Sequence, residues 1–89
     1  MKTEFKASFL KAIRKIKDQQ LKTEIADVIS DVESTRDIRQ IKQLKKLKGY
    51  KHYYRIRIKD YRIGLKIENA TVYFVDIDHR KNIYRFFPK

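Results

Sequence analysis

Tyr53-Tyr54-Arg55-Ile56-Arg57-Ile58-Lys59-Asp60-Tyr61-Arg62 decides how the rest of this chain is read. Isoleucine alternates with arginine, a polar Lys59-Asp60 pair interrupts, and an aromatic–arginine pair restarts the alternation. Side chains along a strand point alternately to opposite faces, so one face of this segment enters a core while the other carries guanidinium groups. A two-residue loop at Lys59-Asp60 makes an antiparallel hairpin in which Arg57 faces Arg62, Ile56 faces Ile63 and Arg55 faces Gly64. Tyr54, Ile56, Ile58, Tyr61, Ile63 and Leu65 then share the buried face. Arg55, Arg57, Arg62 and Lys66 share the other, with Gly64 leaving open space among them. Like charges set across from one another destabilise a hairpin. Three converging arginines therefore suggest a surface that receives an anion, the plain alternative being the wet side of an ordinary antiparallel sheet.

Working outward, further strands are expected at 71–77 and, shortly after the start, at 3–5, with the hairpin arms at 53–58 and 61–67. The turn at 68–70 leaves two registers open. A three-residue loop puts Tyr73, Val75 and Ile77 on the core face and Asp76 beside Arg62, whereas a two-residue loop reverses every one of those positions. Phe9, Ile13 and Ile16, with Leu10 beside them, form one helical stripe; Leu21, Ile25, Val28 or Ile29, and Val32 form a second. Continuing the first stripe would need apolar residues at 20, 24 and 27, where Gln20, Glu24 and Asp27 stand. The phase slips by one residue, about 100° around a helix. That predicts a break near 18–20 and a helical hairpin, with one bent helix as the alternative. Ile38, Ile41, Leu44 and Leu47 recur every three residues among lysines, as a short helical turn or a loop pinned to the core, ended by Gly49. The fold class is α+β: two N-terminal helices packed on a small antiparallel sheet in the order β-α-α-β-β-β, a single domain over 1–89.

The formal net charge is +12, and it is unevenly placed. From 42 to 66 there are ten lysines and arginines against one acid, Asp60, so nine of the twelve surplus charges lie in 25 residues. Such a field attracts polyanions and releases counterions from a phosphate backbone. Cysteine is absent, which excludes disulfides, thiolate metal sites and cysteine nucleophiles. Two histidines, His52 and His79, do not make a metal site, and neither a metal nor a cofactor is expected. No apolar run approaches the roughly 20 residues that cross a bilayer, and no signal-peptide stretch opens the chain, so a cytoplasmic protein without membrane contact is expected.

His79 and Arg80 follow the last expected strand, and Tyr84 comes shortly after. If this exit folds back over the open sheet face, all three approach Arg55, Arg57 and Arg62. Metal-free RNA cleavage needs a group to take the 2′-hydroxyl proton, positive charge for the pentavalent phosphorane, and an acid for the 5′-oxygen. Arginine suits the second task, being always charged and shaped to match phosphate. His79 is the natural proton carrier by chemistry alone, or else a residue that fixes the strand exit. Tyr84 either hydrogen-bonds and stacks at the site or forms an aromatic lid. The candidate catalytic group is thus Arg57, Arg62, His79, Arg80 and Tyr84. Arg55, Lys45, Lys46, Lys48, Lys51, Tyr53 and Lys66 are the candidate RNA contacts. Tyr50 and Tyr53 suit base stacking or coverage of the sheet edge.

Leu-Lys-Lys-Leu-Lys-Gly at 44–49, Tyr-Arg-Ile-Arg-Ile at 54–58, Asp-Tyr-Arg-Ile at 60–63 and Asp-His-Arg-Lys-Asn-Ile-Tyr at 78–84, taken in order, closely resemble the RelE/ParE superfamily of type II toxins. The resemblance implies helices packed on an antiparallel sheet and a cognate antitoxin that covers the cationic site. It also implies an activity. RelE-like members cleave messenger RNA in the A site of the 30S ribosomal subunit, and ParE-like members inhibit DNA gyrase. Arg55, Arg57, Arg62, Arg80 and Tyr84 match the RelE pattern of basic residues and a C-terminal tyrosine, which favours a metal-independent endoribonuclease, an mRNA interferase. The alternatives are a gyrase inhibitor and an inactive homologue that only binds RNA or antitoxin. The RelE pattern carries lysines where Arg55 and Arg57 stand, so the resemblance does not supply a general base, and His79 is the substitute.

Overall fold

The structure, a computed structural model, describes residues 1–88. Strand β1 (Lys2–Phe5) leads into α1 (Ala7–Lys15) and α2 (Gln19–Ser34), followed by β2 (Leu44–Lys46), β3 (Tyr53–Ile58), β4 (Tyr61–Glu68) and β5 (Thr71–His79). Short 3-10 turns occupy Ile38–Gln40 and Ile83–Arg85. The sheet order is β1-β5-β4-β3-β2. Both helices lie on one face, where Phe9, Leu21, Ile25 and Val32 meet Ile56, Ile58, Ile63, Leu65, Ile67, Val72, Phe74 and Ile77.

The α+β architecture and helical hairpin match the sequence reading, and the break between the helices has a clear cause. Asp18 caps α2, its Oδ1 accepting the backbone N–H groups of Gln20 (3.0 Å) and Leu21 (3.2 Å). A capped start re-phases the apolar stripe without glycine or proline. At the other end of α2, the Met1 ammonium donates to the carbonyls of Val32 and Glu33, placing positive charge where the helix dipole is negative.

Three features differ from expectation. First, the sheet is mixed, because β1 runs parallel to β5, with Lys2 against Thr71 and Phe5 against Phe74. Second, the segment read as a helical turn or loop is a 3-10 turn followed by an edge strand. In β2, Leu44 pairs with Ile56 and Lys45 with Arg55. The three-residue spacing of Ile38, Ile41, Leu44 and Leu47 gave a helical impression, while only Leu44 of the four belongs to the strand.

The third difference concerns the β4–β5 turn. The loop is two residues, Asn69 and Ala70, both at positive φ (53° and 59°), with Glu68 paired to Thr71. Val72 and Phe74 therefore enter the core. A bulge then inserts Val75, so that Leu65 pairs with Phe74 but Gly64 pairs with Asp76. The inserted residue restores the opposite phase, and Ile77 becomes a core residue too. The two-residue reading of the turn held, and of the three-residue reading only the core position of Ile77 returns: Asp76 lies across from Gly64, not beside Arg62, which faces Asp78.

Candidate functional site

The face of the sheet opposite the helices carries the arginines. Arg57 stands directly across from Arg62, and Arg55 across from Gly64. The hairpin alignment follows from the two-residue Lys59-Asp60 loop, in which Lys59 takes a φ of 53°. Arg62 is fixed against its own turn, with Nη1 donating to the carbonyls of Lys59 and Tyr61, both at 2.9 Å. Arg55 Nη1 donates to the Gln43 carbonyl at 2.7 Å, and Arg57 Nη2 to Gln43 Oε1 at 3.0 Å.

The chain leaving β5 completes the arrangement. Arg80 is anchored by its backbone N–H to the Asp60 carbonyl (2.7 Å), which ties the strand exit to the β3–β4 loop. Its Nε lies 3.8 Å from Asp60 Oδ1, a loose, solvent-facing contact. The 3-10 turn then returns over the arginine face, burying Ile83 and Phe87. Arg55, Arg62, Arg80 and Tyr84 line one open groove of about 440 Å³ with Lys45, Lys46, Leu47 and Lys48. Tyr84 is half exposed at its rim (52%) and also borders a smaller hollow with Leu47, Lys48, Tyr50, Phe87 and Pro88.

The electrostatics reflect this crowding. Partial burial of Arg62, together with Arg55, Arg57 and Arg80 nearby, lowers its pKa from the ordinary value, and Tyr84 works the other way. An arginine remains charged at any physiological pH, so the consequence is energetic rather than a change of state. The cluster holds unrelieved repulsion that an incoming phosphate would relieve.

Not all candidate residues join the group. The expectation that His79 converges with the arginines is not met. Strand β5 continues to His79, two residues beyond the expected end, so alternation still applies there. His79 pairs with Tyr61, on the helix side, while Asp78 takes the position across from Arg62. The imidazole sits edge-on to the Tyr61 ring, with centroids 5.8 Å apart, and Nδ1 accepts the Lys81 backbone N–H at 3.1 Å. It closes the strand exit. Lys66 contacts Glu68 (3.7 Å) and borders a different hollow beside Phe86 and Phe87. Tyr53 lines that same hollow and packs edge-on against Phe87, with Tyr50 edge-on to Tyr53 in turn. Lys51 is exposed on the turn before β3. Lys45, Lys46, Lys48 and Arg55 do line the groove.

Two contributors escaped the sequence reading. Gln43 carries no motif and emerges only once 44–46 is seen as a strand. Phe87 fills the space thought open above Gly64, where an added Cβ would come within 2.7 Å of its ring. Glycine inside a strand is itself a signal of close approach.

Comparison with known proteins gives this geometry a family. Residues 3–84 match the model of the "ParE toxin of type II toxin-antitoxin system, parDE". The chain is 35% identical over 89 residues to Toxin RelE3 of Methanocaldococcus jannaschii, covering 99% of this chain and all of that protein. This chain belongs to the RelE/ParE superfamily of toxins. The fold agrees with other RelE-type toxins. A chain of the RelB-RelE antitoxin-toxin complex from Methanococcus jannaschii superposes with a TM-score of 0.82 at 32% identity, covering 96% of this chain and 99% of that one. The isolated E. coli RelE toxin, at 18% identity, shares the fold with a TM-score of 0.64 over 97% of this chain and 98% of its own. No helix among the described residues of this RelE-family toxin is long and apolar enough to cross a membrane.

Proposed function

We propose that this RelE-family toxin is an endoribonuclease that cleaves messenger RNA in the ribosomal A site and is held inactive by a cognate antitoxin. The observation that carries the reading is the convergence of Arg55, Arg62, Arg80 and Tyr84 on one open groove, with Arg57 directly across from Arg62. Four guanidinium groups exceed what a wet sheet face needs, and their geometry suits a phosphodiester. In the proposed reaction the 2′-oxygen forms a bond to phosphorus as the P–O5′ bond breaks, leaving a 2′,3′-cyclic phosphate and a 5′-hydroxyl. The 2′-hydroxyl proton leaves to a base, and the 5′-oxygen gains one. Arg55, Arg57 and Arg62 grip the phosphate, and Arg80 offsets charge that grows in the transition state. That charge can be supplied by these side chains, so the scheme requires no metal. Tyr84 and the groove lysines 45, 46 and 48 are the lining groups able to carry a proton.

An antitoxin partner is supported by likeness to the toxin in the RelB-RelE complex and by a groove whose field would draw an acidic segment. Induced expression followed by 5′-end mapping of cellular RNA tests the activity, with new ends expected inside translated codons. The match to the ParE model favours one other reading, gyrase inhibition without nuclease chemistry. Growth arrest with intact messages and a block in gyrase supercoiling by the purified toxin would replace the nuclease reading with that one.

A further inference from the structure

Gln43 belongs to no motif, yet it touches two arginines of the cationic face. It stands just before β2, one position beyond the Leu44–Ile56 pair, which places it beside Arg57. Its φ is +62°, a left-handed conformation uncommon for residues other than glycine and asparagine. From there its backbone carbonyl accepts both Arg55 Nη1 (2.7 Å) and the Arg57 backbone N–H (3.4 Å). Its side-chain Oε1 accepts Arg57 Nη2 at 3.0 Å. One uncharged residue thus holds two guanidinium groups.

The arrangement answers a physical problem. Arg57 faces Arg62 across the hairpin, and Arg55 and Arg80 crowd Arg62 as well. Repulsion among long, flexible side chains would drive them outward into solvent. A carboxylate would hold Arg57 but cancel its charge. An amide oxygen takes one N–H of the fork and leaves the charge and the remaining donors for an anion. We infer that Gln43 is a positioning residue, its side-chain carbonyl setting the Arg57 guanidinium in the orientation that grips a phosphodiester. This inference rests on the nuclease reading above.

The test uses the whole toxin and a single-stranded oligoribonucleotide with 2′-O-methyl groups, which binds but cannot be cleaved. Gln43→Met keeps side-chain length without the acceptor. Gln43→Asn suits the left-handed backbone but is too short to reach Arg57. Both are expected to weaken oligonucleotide binding about fivefold, the worth of one modest hydrogen bond, with thermal stability unchanged. In an Arg57→Ala background neither is expected to weaken it further, because the group being positioned is gone. Equal binding by wild type and both variants, or the same fivefold loss in the Arg57→Ala background, overturns the positioning role while leaving the nuclease reading intact. Failure of the wild type to bind the oligonucleotide overturns the positioning role, while the ribosomal nuclease reading is decided separately by the 5′-end mapping.

Discussion

The ring of Phe87 rests against the backbone of Gly64, so close that a methyl group added to that α-carbon would lie 2.7–2.8 Å from three ring carbons. The contact fastens the C-terminal segment to the arginine face and makes a small second core there of Phe87, Ile83 and the edge of Tyr53. Tyr84, carried on the same segment, is held in the groove as a consequence. Gly64→Ala is expected to cost about 1–3 kcal/mol through overpacking, measured by denaturant unfolding. Phe87→Leu in the same chain should recover part of that loss. A Gly64→Ala protein as stable as wild type would mean that the segment does not dock as described.

How much of this was legible beforehand can be argued residue by residue. The hairpin at 53–68 was readable because isoleucine–arginine alternation and a two-residue polar break leave one register that buries the isoleucines. The arginine cluster follows from that register alone. The bulge at Val75 was not readable, since Tyr73, Val75 and Ile77 alternate as well as Val72 and Phe74 do, and only three-dimensional packing breaks the tie. His79 was misplaced for a related reason. One more pair of ladder residues at the end of β5 moved it to the other face. Gln43 and Phe87 act through tertiary contacts with distant segments, which no local pattern announces.

Ala70 occupies a turn position with a φ of 59°, where an L-residue pays in steric strain and glycine does not. Asn69 before it already has the preferred identity for this hairpin. Ala70→Gly should stabilise the protein by about 0.5–1 kcal/mol, the relief of strain exceeding the added chain entropy. A shift of the urea midpoint upward at constant slope is the expected result. A downward shift would mean that the turn relaxes to another geometry in solution.

Asp37 caps the turn at Ile38–Gln40, accepting the Arg39 backbone N–H at 2.9 Å and the Arg39 guanidinium at 2.6–3.1 Å. The Arg39 side-chain hydrogen bonds, then the backbone one, bring its carboxyl down to about 2. An unfolded aspartate titrates near about 3.9, so the folded value is the lower. The stabilising contribution is therefore complete above about pH 4 and fades as the pH falls toward 2. Carbon-detected NMR titration should find a midpoint near 2 in wild type and a higher one in Arg39→Ala, still below the ordinary value because the backbone N–H of residue 39 remains. An unshifted Asp37 in wild type would show the pair to be open in water.

Seven cations, Arg55, Arg57, Arg62, Arg80, Lys45, Lys46 and Lys48, line or adjoin the groove. If most of them meet phosphates of a single strand, binding should fall with a log–log salt slope of about −3 to −5. Lys45→Ala/Lys48→Ala should flatten the slope by about 1 to 1.5 while leaving the fold unaffected. Lys66→Ala, on the far side of Phe87, should leave it unchanged.

Single-residue effects on cleavage separate the geometry from the sequence pattern. Arg62, gripped by its own turn at the centre of the cluster, should be the most sensitive, with Arg62→Lys lowering the rate about 100-fold because charge survives but the rigid fork is lost. Tyr84→Phe removes only a hydroxyl at the rim and should cost about 10-fold if it orients substrate. His79→Asn keeps a hydrogen-bonding group at the strand exit on the helix side, and its rate should stay within about threefold of wild type. Primer extension on translating ribosomes, at equal amounts of folded toxin, reads all three. A His79→Asn protein as impaired as Arg62→Lys would show that the imidazole swings around the end of β5 when RNA binds, and that the resting position beside Tyr61 is not the one used in catalysis.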